Sequence, residues 1–473
     1  MKKITYLIAI GVTILFSACN KFTEITPKGV NLLSTVDQLD LLLNYNYGAQ
    51  TFFKFDDLGV IVNDHYPYTV NVPVAISSPT KTLNYAYLTY DESVDRATLT
   101  PSDDRYAGMY NIIDNIDNVI LSKADAASGN KAKAAQLKAE AYIQRAYFHY
   151  LLVNIFAKAY NATTSANDGG IPYVMDNDIS KQNTKVTVAE VYKDILADIN
   201  AAFALNSLPD VNVNNMRVGK GFAYAVQARV LLSMGDYANA LIAANASLAI
   251  NSNIQDLRPE ATLGFAGFVV RAPLTPPDNL FYAASDVAGP LFMSFTPEFV
   301  ATYFEPGNLF NNTYPAGAMY PAANPLAGIP NSELWFAQTF STNMGGLCTS
   351  DTYFAKAECL ARRATGTDLA DATAIVNTFR QYRINPAVYQ PLPDATSTAQ
   401  AMGYVMKVTQ AENYATYKNF FDIKRWNTET AYQQTITRTI NGVTYTLKPN
   451  SPLYIFPFPQ NAIAYNNSLT QNY

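Results

Sequence analysis

The first residues of the chain contain a pattern that could direct chemistry at the thiol of Cys19. A basic pair opens the sequence, residues 4–16 form an uncharged apolar run too short to span a bilayer, and Ser17 and Ala18 stand directly before Cys19. In a bacterial lipoprotein signal, the thiol after such small residues takes a diacylglycerol and the chain is cut before it. The sequence therefore predicts a signal peptide of residues 1–18 and a lipid anchor at Cys19. An ordinary secretory signal with a chance cysteine is the alternative.

Histidine is scarce, which limits the catalytic chemistry open to the chain. Only His65 and His149 are present, and a Ser-His-Asp set needs an oriented histidine. His149 falls inside an apolar helical pattern, which predicts a packed core residue rather than a base. A glycosidase needs only two carboxylates, and spacing along a chain cannot establish such a pair in space. The residues therefore favour binding over catalysis, with a lipid-anchored glycosidase as the enzyme alternative.

The net charge and the cysteine content limit which partners and cofactors the protein is expected to bind. The formal net charge is −5, and it becomes −7 when the two lysines of the signal peptide are removed. An acidic chain without a basic run is not expected to bind nucleic acid or anionic lipid head groups. The pair Cys348 and Cys359 cannot by itself make a four-ligand zinc site, and the chain has only two histidines, so neither a metal nor a cofactor is expected. For these two thiols the sequence favours free or buried cysteines, with a disulfide as the alternative.

Tyrosine is the outlier of the composition, with 33 of 473 residues. A tyrosine offers a flat apolar face and a hydroxyl, which suits stacking on sugar rings or holding peptides. Nine of the 33 tyrosines, together with several phenylalanines, fall in two stretches that lack helical periodicity, at about residues 48–99 and 251–349, which we call the aromatic stretches. Ligand contacts tend to lie on loops, so these stretches are candidates for a binding surface. Packing between helices is the alternative role for any single ring.

Helical signals dominate the rest of the chain. Residues 131–156 form one long helical pattern. Other helix starts are predicted where a serine or threonine is followed three residues later by an acidic side chain. These pairs are Ser34 with Asp37, Thr100 with Asp103, and Thr187 with Glu190.

Two helical hairpins share a similar pattern. Residues 220–250 carry small residues where two helices would cross and a Gly235-Asp236 turn between them, which resembles a tetratricopeptide repeat. A looser copy covers residues 353–379, with Gly366 at its turn. Such hairpins cannot bury their apolar faces alone, so several must stack. The predicted fold class is mostly α: stacked tetratricopeptide-like helical hairpins form a scaffold, decorated by long irregular loops with little β structure.

A series of short motifs resembles the SusD/RagB family of outer-membrane lipoproteins, and the likeness runs nearly end to end. Each motif alone is weak, but their order behind a lipid-attachment cysteine is hard to produce by chance. In chain order the motifs are Ala139-Glu140-Ala141 with Arg145-Ala146-Tyr147-Phe148, then Gly169-Gly170-Ile171-Pro172-Tyr173, Thr187-Val188-Ala189-Glu190-Val191-Tyr192, Phe421-Asp422-Ile423-Lys424-Arg425-Trp426, and a tail with Pro457, Pro459 and Asn466.

The resemblance implies an organisation and a function. It implies a single SusD-like domain over residues 19–473, with the helical scaffold at about 30–47, 100–250 and 350–430. Such proteins are lipid-anchored on the outer face of the outer membrane and form a lid over a partner, a SusC-like TonB-dependent transporter. They capture oligosaccharides, or in some branches peptides, for import, and they are not enzymes.

Candidate ligand contacts lie on the two aromatic stretches, where the family often places its sugar contacts. Tyrosine rings would stack on sugars, and Asp and Asn side chains would orient hydroxyls. The candidates are Asp64, His65, Tyr66, Tyr68 and Asn71 in the first stretch, and Tyr303, Asn311 and Tyr314 in the second. Loop packing is the alternative for each, and Arg425 and Trp426 are expected to be structural.

Two other binding functions remain open from the sequence. The same aromatic loops would serve peptide capture within an equivalent uptake system. From a different class, the helical repeats could form an interaction scaffold that docks protein partners and binds no nutrient.

Overall fold

The computed structural model of the protein describes residues 33–63, 65–67, 70–178, 180–256, 258–259, 277–285, 290–309, 319–323, 333–338, 343–414 and 416–473. Cys19 and the signal peptide predicted before it lie outside these residues.

Helices are the main elements, as the sequence predicts. A π-helical turn, Ile113–Asp117, joins the fifth and sixth of them. The α-helices are α1 Val36–Leu43, α2 Asp56–Val62, α3 Val72–Ser77, α4 Leu83–Thr89, α5 Asp104–Ile112, α6 Asn118–Lys123, α7 Lys131–Phe156, α8 Val188–Ala204, α9 Lys220–Met234, α10 Tyr237–Ile250, α11 Pro297–Tyr303, α12 Thr349–Arg363, α13 Asp368–Arg383, α14 Thr398–Glu412, α15 Tyr417–Trp426 and α16 Gln460–Tyr465.

The strands are short and antiparallel. Their bounds are β1 His65–Pro67, β2 Gly169–Pro172, β3 Lys185–Thr187, β4 Asn279–Phe281, β5 Pro290–Phe295, β6 Met319–Ala323, β7 Glu333–Gln338, β8 Leu347–Cys348, β9 Ile436–Ile440 and β10 Val443–Leu447. One sheet has four strands in the order β1-β5-β7-β6, and the other strands that the structure describes form three pairs: β2 with β3, β4 with β8, and β9 with β10.

The long helix α7 begins and ends where the sequence predicts. The Asn130 side chain accepts the backbone N–H groups of Ala132 and Lys133 at 2.9 and 3.1 Å, which caps the first turn. From Ala139 onward almost every side chain is buried. A helix buried all round lies in the interior of a large domain, so α7 is the central helix of the scaffold.

The predicted cap of α8 is confirmed. The Thr187 hydroxyl accepts the Glu190 N–H at 3.2 Å, and the Glu190 carboxylate accepts the Thr187 N–H at 2.9 Å. This reciprocal pair satisfies two backbone donors that the first turn of a helix leaves free.

Two other predicted helix starts are displaced. Helix α1 is capped by Thr35 with Gln38, one residue later than the predicted pair. Helix α5 is capped by Asp103, whose carboxylate accepts the Arg105 N–H at 2.8 Å. The predicted cap, Thr100, instead donates its hydroxyl to the Arg96 carbonyl at 2.9 Å, so it is occupied outside the helix.

The helical hairpins stack as the repeat pattern predicts. Gly235 turns α9 into α10 with φ +78°, and Gly366 lies between α12 and α13 with φ +56°. Glycine adopts this left-handed region without the strain that a Cβ would impose. Buried side chains of α9, α10, α12, α13 and α14 form a second hydrophobic core beside the main core around α7.

Buried ion pairs tie distant helices of the scaffold together. Arg145 of α7 binds both carboxylate oxygens of Asp198 at 2.6 and 2.7 Å. Arg425 of α15 binds Glu358 of α12 through two contacts of 2.7 Å, and Trp426 Nε1 donates to the same carboxylate at 3.2 Å. The structural role expected for Arg425 and Trp426 is therefore confirmed.

The stretches without helical periodicity hold short elements. Residues 48–99 include α2, α3, α4 and β1, and residues 290–338 supply the other three strands of the four-stranded sheet. Asn441 and Gly442, at φ +52° and +77°, form the turn between β9 and β10. Cys348 and Cys359 are free thiols.

Candidate functional site

The two aromatic stretches meet in the four-stranded sheet. Strand β1 of the first stretch pairs with β5 of the second, with Tyr66 opposite Ser294. The Tyr303 hydroxyl, at the end of α11, also lies 3.5 Å from the Val62 carbonyl oxygen of α2. The structure therefore brings together two segments that are more than 200 residues apart along the chain.

Tyr66 is a core residue, which corrects the expectation that its ring faces a ligand. Its exposed fraction is 0%, and it packs with Val60, Val72, Leu88 and Ile440. The Arg438 guanidinium lies 5.3 Å from the ring centre. Because solvent does not reach the ring, a sugar cannot stack on it in this structure.

Asn71 and Tyr303 have packing or capping roles in addition to partial exposure. The Asn71 side chain accepts the Val74 N–H at 3.1 Å and caps α3. The Tyr303 ring packs against Phe299 in a tilted arrangement with 4.6 Å between ring centres, and it lines a crevice of about 30 Å³ against α13 and α14. That volume suits a water molecule rather than a sugar ring.

The remaining predicted contacts are not placed by the structure. Asp64, Tyr68, Asn311 and Tyr314 lie outside the described residues. For His65 only the backbone position in β1 is described.

A polar groove lies beside β1. We call it the α2–α5 groove, and its volume is about 480 Å³, within the range of pockets that hold small ligands. Val60 and Val70, which flank β1 along the chain, form part of its wall. The groove is lined by Thr51, Lys54, Asp57, Val60, Val70, Asn84, Ser102, Asp103, Asp104 and Arg105.

One arginine organises the charges of the α2–α5 groove. Arg105 binds Asp57 at 2.8 Å and Asp103 at 2.6 Å, and its guanidinium lies 4.7 Å from the centre of the Phe456 ring. Burial opposes ionisation of the Asp103 carboxyl, but the Arg105 guanidinium outweighs it and lowers the pKa of Asp103 below its ordinary value. The groove thus presents fixed carboxylates together with the exposed side chains of Lys54 and Asn84.

Such a groove can form hydrogen bonds with a ligand rich in hydroxyl groups. Ionised carboxylates accept, an ammonium group donates, and an amide does both. The first aromatic stretch, residues 48–99, contains four of the polar lining residues, although none of them is a predicted contact: Thr51, Lys54, Asp57 and Asn84. The other polar lining residues, 102–105, lie just beyond this stretch, where the sequence indicates only the start of a helix.

His149 is confirmed as a packed core residue. Its Nδ1 lies 2.9 Å from the Arg145 carbonyl oxygen, and its Nε2 accepts the Val174 N–H at 3.0 Å. The ring stacks on Tyr173 at 3.8 Å, and burial lowers the pKa of His149 to about 3. Within the described residues, no group of three or more His, Cys, Asp or Glu side chains is placed to hold a metal ion.

Comparisons with known proteins identify the family. A sequence profile described as starch-binding and associating with the outer membrane matches residues 51–232, and a profile of the SusD family matches residues 339–473. The two matches together cover more than half of the chain. The chain belongs to the SusD family.

A relative within the SusD family is SusD-like protein P2 of Formosa agariphila. It is 32% identical over 148 residues, which is 30% of this chain. The matched part spans only 26% of that relative's length, so the likeness covers about a quarter of it.

Solved structures share the SusD fold over almost the whole chain. A SusD superfamily protein from Bacteroides thetaiotaomicron has a TM-score of 0.69 at 17% identity, and covers 93% of this chain and 100% of its own. A second one, from Bacteroides fragilis, has the same TM-score and coverage at 14% identity. Surface glycan-binding protein A from Bacteroides thetaiotaomicron has a TM-score of 0.64 at 14% identity, and covers 93% of this chain and 100% of its own. At these identities the likeness shows the fold alone.

The description of the first profile associates such proteins with the outer membrane. Among the helices that the structure describes, none has the length and apolar character needed to cross a bilayer.

Proposed function

We propose that this protein captures oligosaccharides at the cell surface and delivers them to a SusC-like TonB-dependent transporter. In this proposal, lipid at Cys19 holds it on the outer face of the outer membrane. The observation that carries the proposal is the α2–α5 groove, a polar groove of about 480 Å³ beside the strand that joins the two predicted binding stretches. Membership of the SusD family supports it, since family members bind glycans.

The chemistry of the groove favours a neutral, hydroxyl-rich ligand. Arg105 pairs with both Asp57 and Asp103, and its single positive charge offsets one of their two negative charges. With Lys54 and Asp104 included, the lining keeps one excess negative charge, which disfavours an anionic ligand. The remaining lone pairs of the carboxylates can still accept hydrogen bonds. Lys54 and Asn84 are exposed at the rim and are free to orient toward sugar hydroxyls. Several such bonds, each contributing about 1 kcal/mol, give specificity without a covalent step.

The groove carboxyl groups suit binding better than hydrolysis. A glycosidase needs one carboxylic acid whose raised pKa keeps it protonated, so that it can protonate the leaving oxygen. The pKa of Asp103 is shifted in the opposite direction by Arg105. This carboxylate therefore accepts hydrogen bonds rather than donating a proton.

The test is affinity electrophoresis of the mature protein carrying Cys19→Ala, run through gels that each contain one neutral polysaccharide. We expect one polysaccharide to retard the protein without release of reducing sugar. A double variant, Lys54→Ala with Asn84→Ala, should bind about tenfold more weakly or worse, because it loses donors and an acceptor but no buried side chain. Its thermal unfolding should be unchanged.

A matched control uses the same residue types elsewhere. Lys193→Ala with Asn239→Ala changes an exposed lysine and an exposed asparagine outside the groove, and should leave binding unaltered. Equal weakening in both double variants would count against the groove. No retardation by any polysaccharide, with binding of peptides instead, would assign the protein to peptide capture, and release of sugar would make it a glycosidase.

A further inference from the structure

A second cleft lies on a part of the molecule that shares no lining residue with the α2–α5 groove. We call it the C-terminal cleft, and its volume is about 380 Å³. Its walls are the segment after α7, the end of α15 and residues 449–455, with Tyr473 at its rim. Its lining residues used below are Lys158, Asn161, Thr164, Asp168, Lys424 and Tyr473.

An aromatic ring is held in place at the rim of the C-terminal cleft. The Arg96 guanidinium lies 4.1 Å from the centre of the Tyr473 ring. Arg96 is itself 1% exposed, and it donates to the carbonyl oxygens of Pro452 and Ile455 at 3.0 and 2.8 Å, which are residues of the cleft wall. One buried arginine therefore fixes both the wall and the ring, while Tyr473 stays 42% exposed. A ring ordered in this way stacks on a ligand at little entropic cost.

A charge-balanced polar cluster forms the opposite part of the cleft. Asp168 accepts the Lys158 ammonium group at 2.7 Å and the Thr164 hydroxyl at 2.5 Å, and each carboxylate oxygen has a lone pair left. Asn161 uses its side-chain oxygen to accept the Thr163 N–H at 2.9 Å, which leaves its amide N–H groups as donors. These groups can both accept from and donate to hydroxyls.

A buried lysine forms the floor of the cleft. Lys424 is 5% exposed, and its Nζ donates to the carbonyl oxygens of Asn154 and Ala157 at 2.8 and 2.5 Å. An ammonium group has three N–H donors, so one is not used by these carbonyls, and Nζ also lies 5.6 Å from the centre of the Phe420 ring. Burial lowers the pKa of Lys424 to about 7, so near neutral pH the group is only partly charged and does not by itself select an anion.

We propose that the C-terminal cleft is a second binding site for a neutral oligosaccharide, with one sugar ring stacked on Tyr473 and its hydroxyls bonded to Asp168 and Asn161. This inference rests on the proposed function, since it assigns the same ligand class to a separate place on the molecule. If one long glycan spans both sites, its apparent affinity rises without any new contact at the first site.

The test is calorimetric titration of the mature Cys19→Ala protein with maltohexaose, cellohexaose, xylohexaose, mannohexaose and laminarihexaose in turn. We expect two bound hexaoses per chain for at least one of them. Tyr473→Ala should reduce this to one, or weaken the second site about tenfold, because the stacking face is lost. The conservative variant Asp168→Asn should also weaken only that second site.

Controls separate this inference from the proposed function. Tyr465→Ala changes a tyrosine that is 87% exposed outside the cleft and should keep both sites. The Lys54→Ala and Asn84→Ala double variant should remove the other site and leave the Tyr473 site. One site in the unaltered protein, abolished by the groove variant and insensitive to Tyr473→Ala, would overturn the inference alone. Binding of no hexaose at any site would overturn both proposals.

Discussion

At the scale of single residues, the structure separates tyrosines that pack from tyrosines that can meet a ligand. Tyr66, Tyr147 and Tyr417 are at most 1% exposed. The hydroxyls of Tyr147 and Tyr417 lie 2.7 Å apart, so their polar ends are satisfied inside the core. Tyr473, by contrast, keeps 42% of its surface exposed. A high tyrosine content is therefore weak evidence for a binding surface in this protein, because helix packing uses many of the rings.

His149 couples stability to pH. In the folded protein its ring is buried and neutral, with a pKa of about 3, whereas an unfolded histidine has its ordinary value near 6.5. Between these two values the unfolded chain binds a proton that the folded chain does not. The contribution of His149 to stability is therefore fully present above about pH 6.5 and is lost as the pH falls toward 3.

A variant that cannot titrate should remove this dependence. We expect His149→Gln to lower the free energy of unfolding at pH 7, and to reduce its slope between pH 4 and 6 by up to about 1.4 kcal/mol per pH unit. Urea unfolding at several pH values measures both quantities. Identical slopes in the two proteins would mean that His149 takes up a proton in the folded state, contrary to the hydrogen bond it accepts from Val174.

At the scale of elements, α12 and α15 are joined by a buried charge network rather than by apolar contact alone. Glu358 binds Arg425 from α15 and Arg362 from its own helix. Burial opposes ionisation of Glu358, but Arg425 outweighs it, and the pKa of this carboxyl falls to about 2. The carboxylate is thus charged at every physiological pH and depends on its partners.

Removing the arginine from this network should be costly. We expect Arg425→Met to lower the free energy of unfolding by about 3–5 kcal/mol, since it leaves Glu358 buried with a lost partner. Arg363→Met is a matched control in α12, the helix that carries Glu358, because the Arg363 side chain is 52% exposed and solvent screens its pair with Asp368. Chemical denaturation of both variants compares them, and similar losses would contradict the importance of burial at Arg425.

Elements whose signals are local were predicted most accurately. The bounds of α7, the capping box of α8 and the two stacked hairpins follow from hydrogen bonds and apolar spacing within a few turns. The predicted start of α5 is wrong because both Thr100 and Asp103 are suitable capping residues. In the structure Asp103 caps the helix, and its carboxylate also binds the Arg105 guanidinium, a contact that the sequence rules for helix caps do not include.

At the scale of the whole molecule, attachment to the membrane is expected to depend on one thiol. We predict that Cys19→Ala gives a folded protein found in the soluble fraction, because Cys19 is the residue proposed to carry the lipid. Cell fractionation with immunoblotting measures the distribution. Cys348→Ala, which keeps the anchor cysteine, should remain with the membrane, and membrane association of the Cys19→Ala protein would refute the anchor.

Sequence by itself determined the helical scaffold, the repeat-like hairpins and the core position of His149, because each depends on neighbours within one or two turns of a helix. Only the tertiary structure decided which residues line the two clefts. The α2–α5 groove is built around Arg105, and the C-terminal cleft places Asp168 near Tyr473, about 300 residues further along the chain. Burial of Tyr66 was decided in the same way, by Ile440 and Arg438 of a distant hairpin. Contacts between residues so far apart along the chain form only when the whole chain packs, so the local spacing of residues does not predict them.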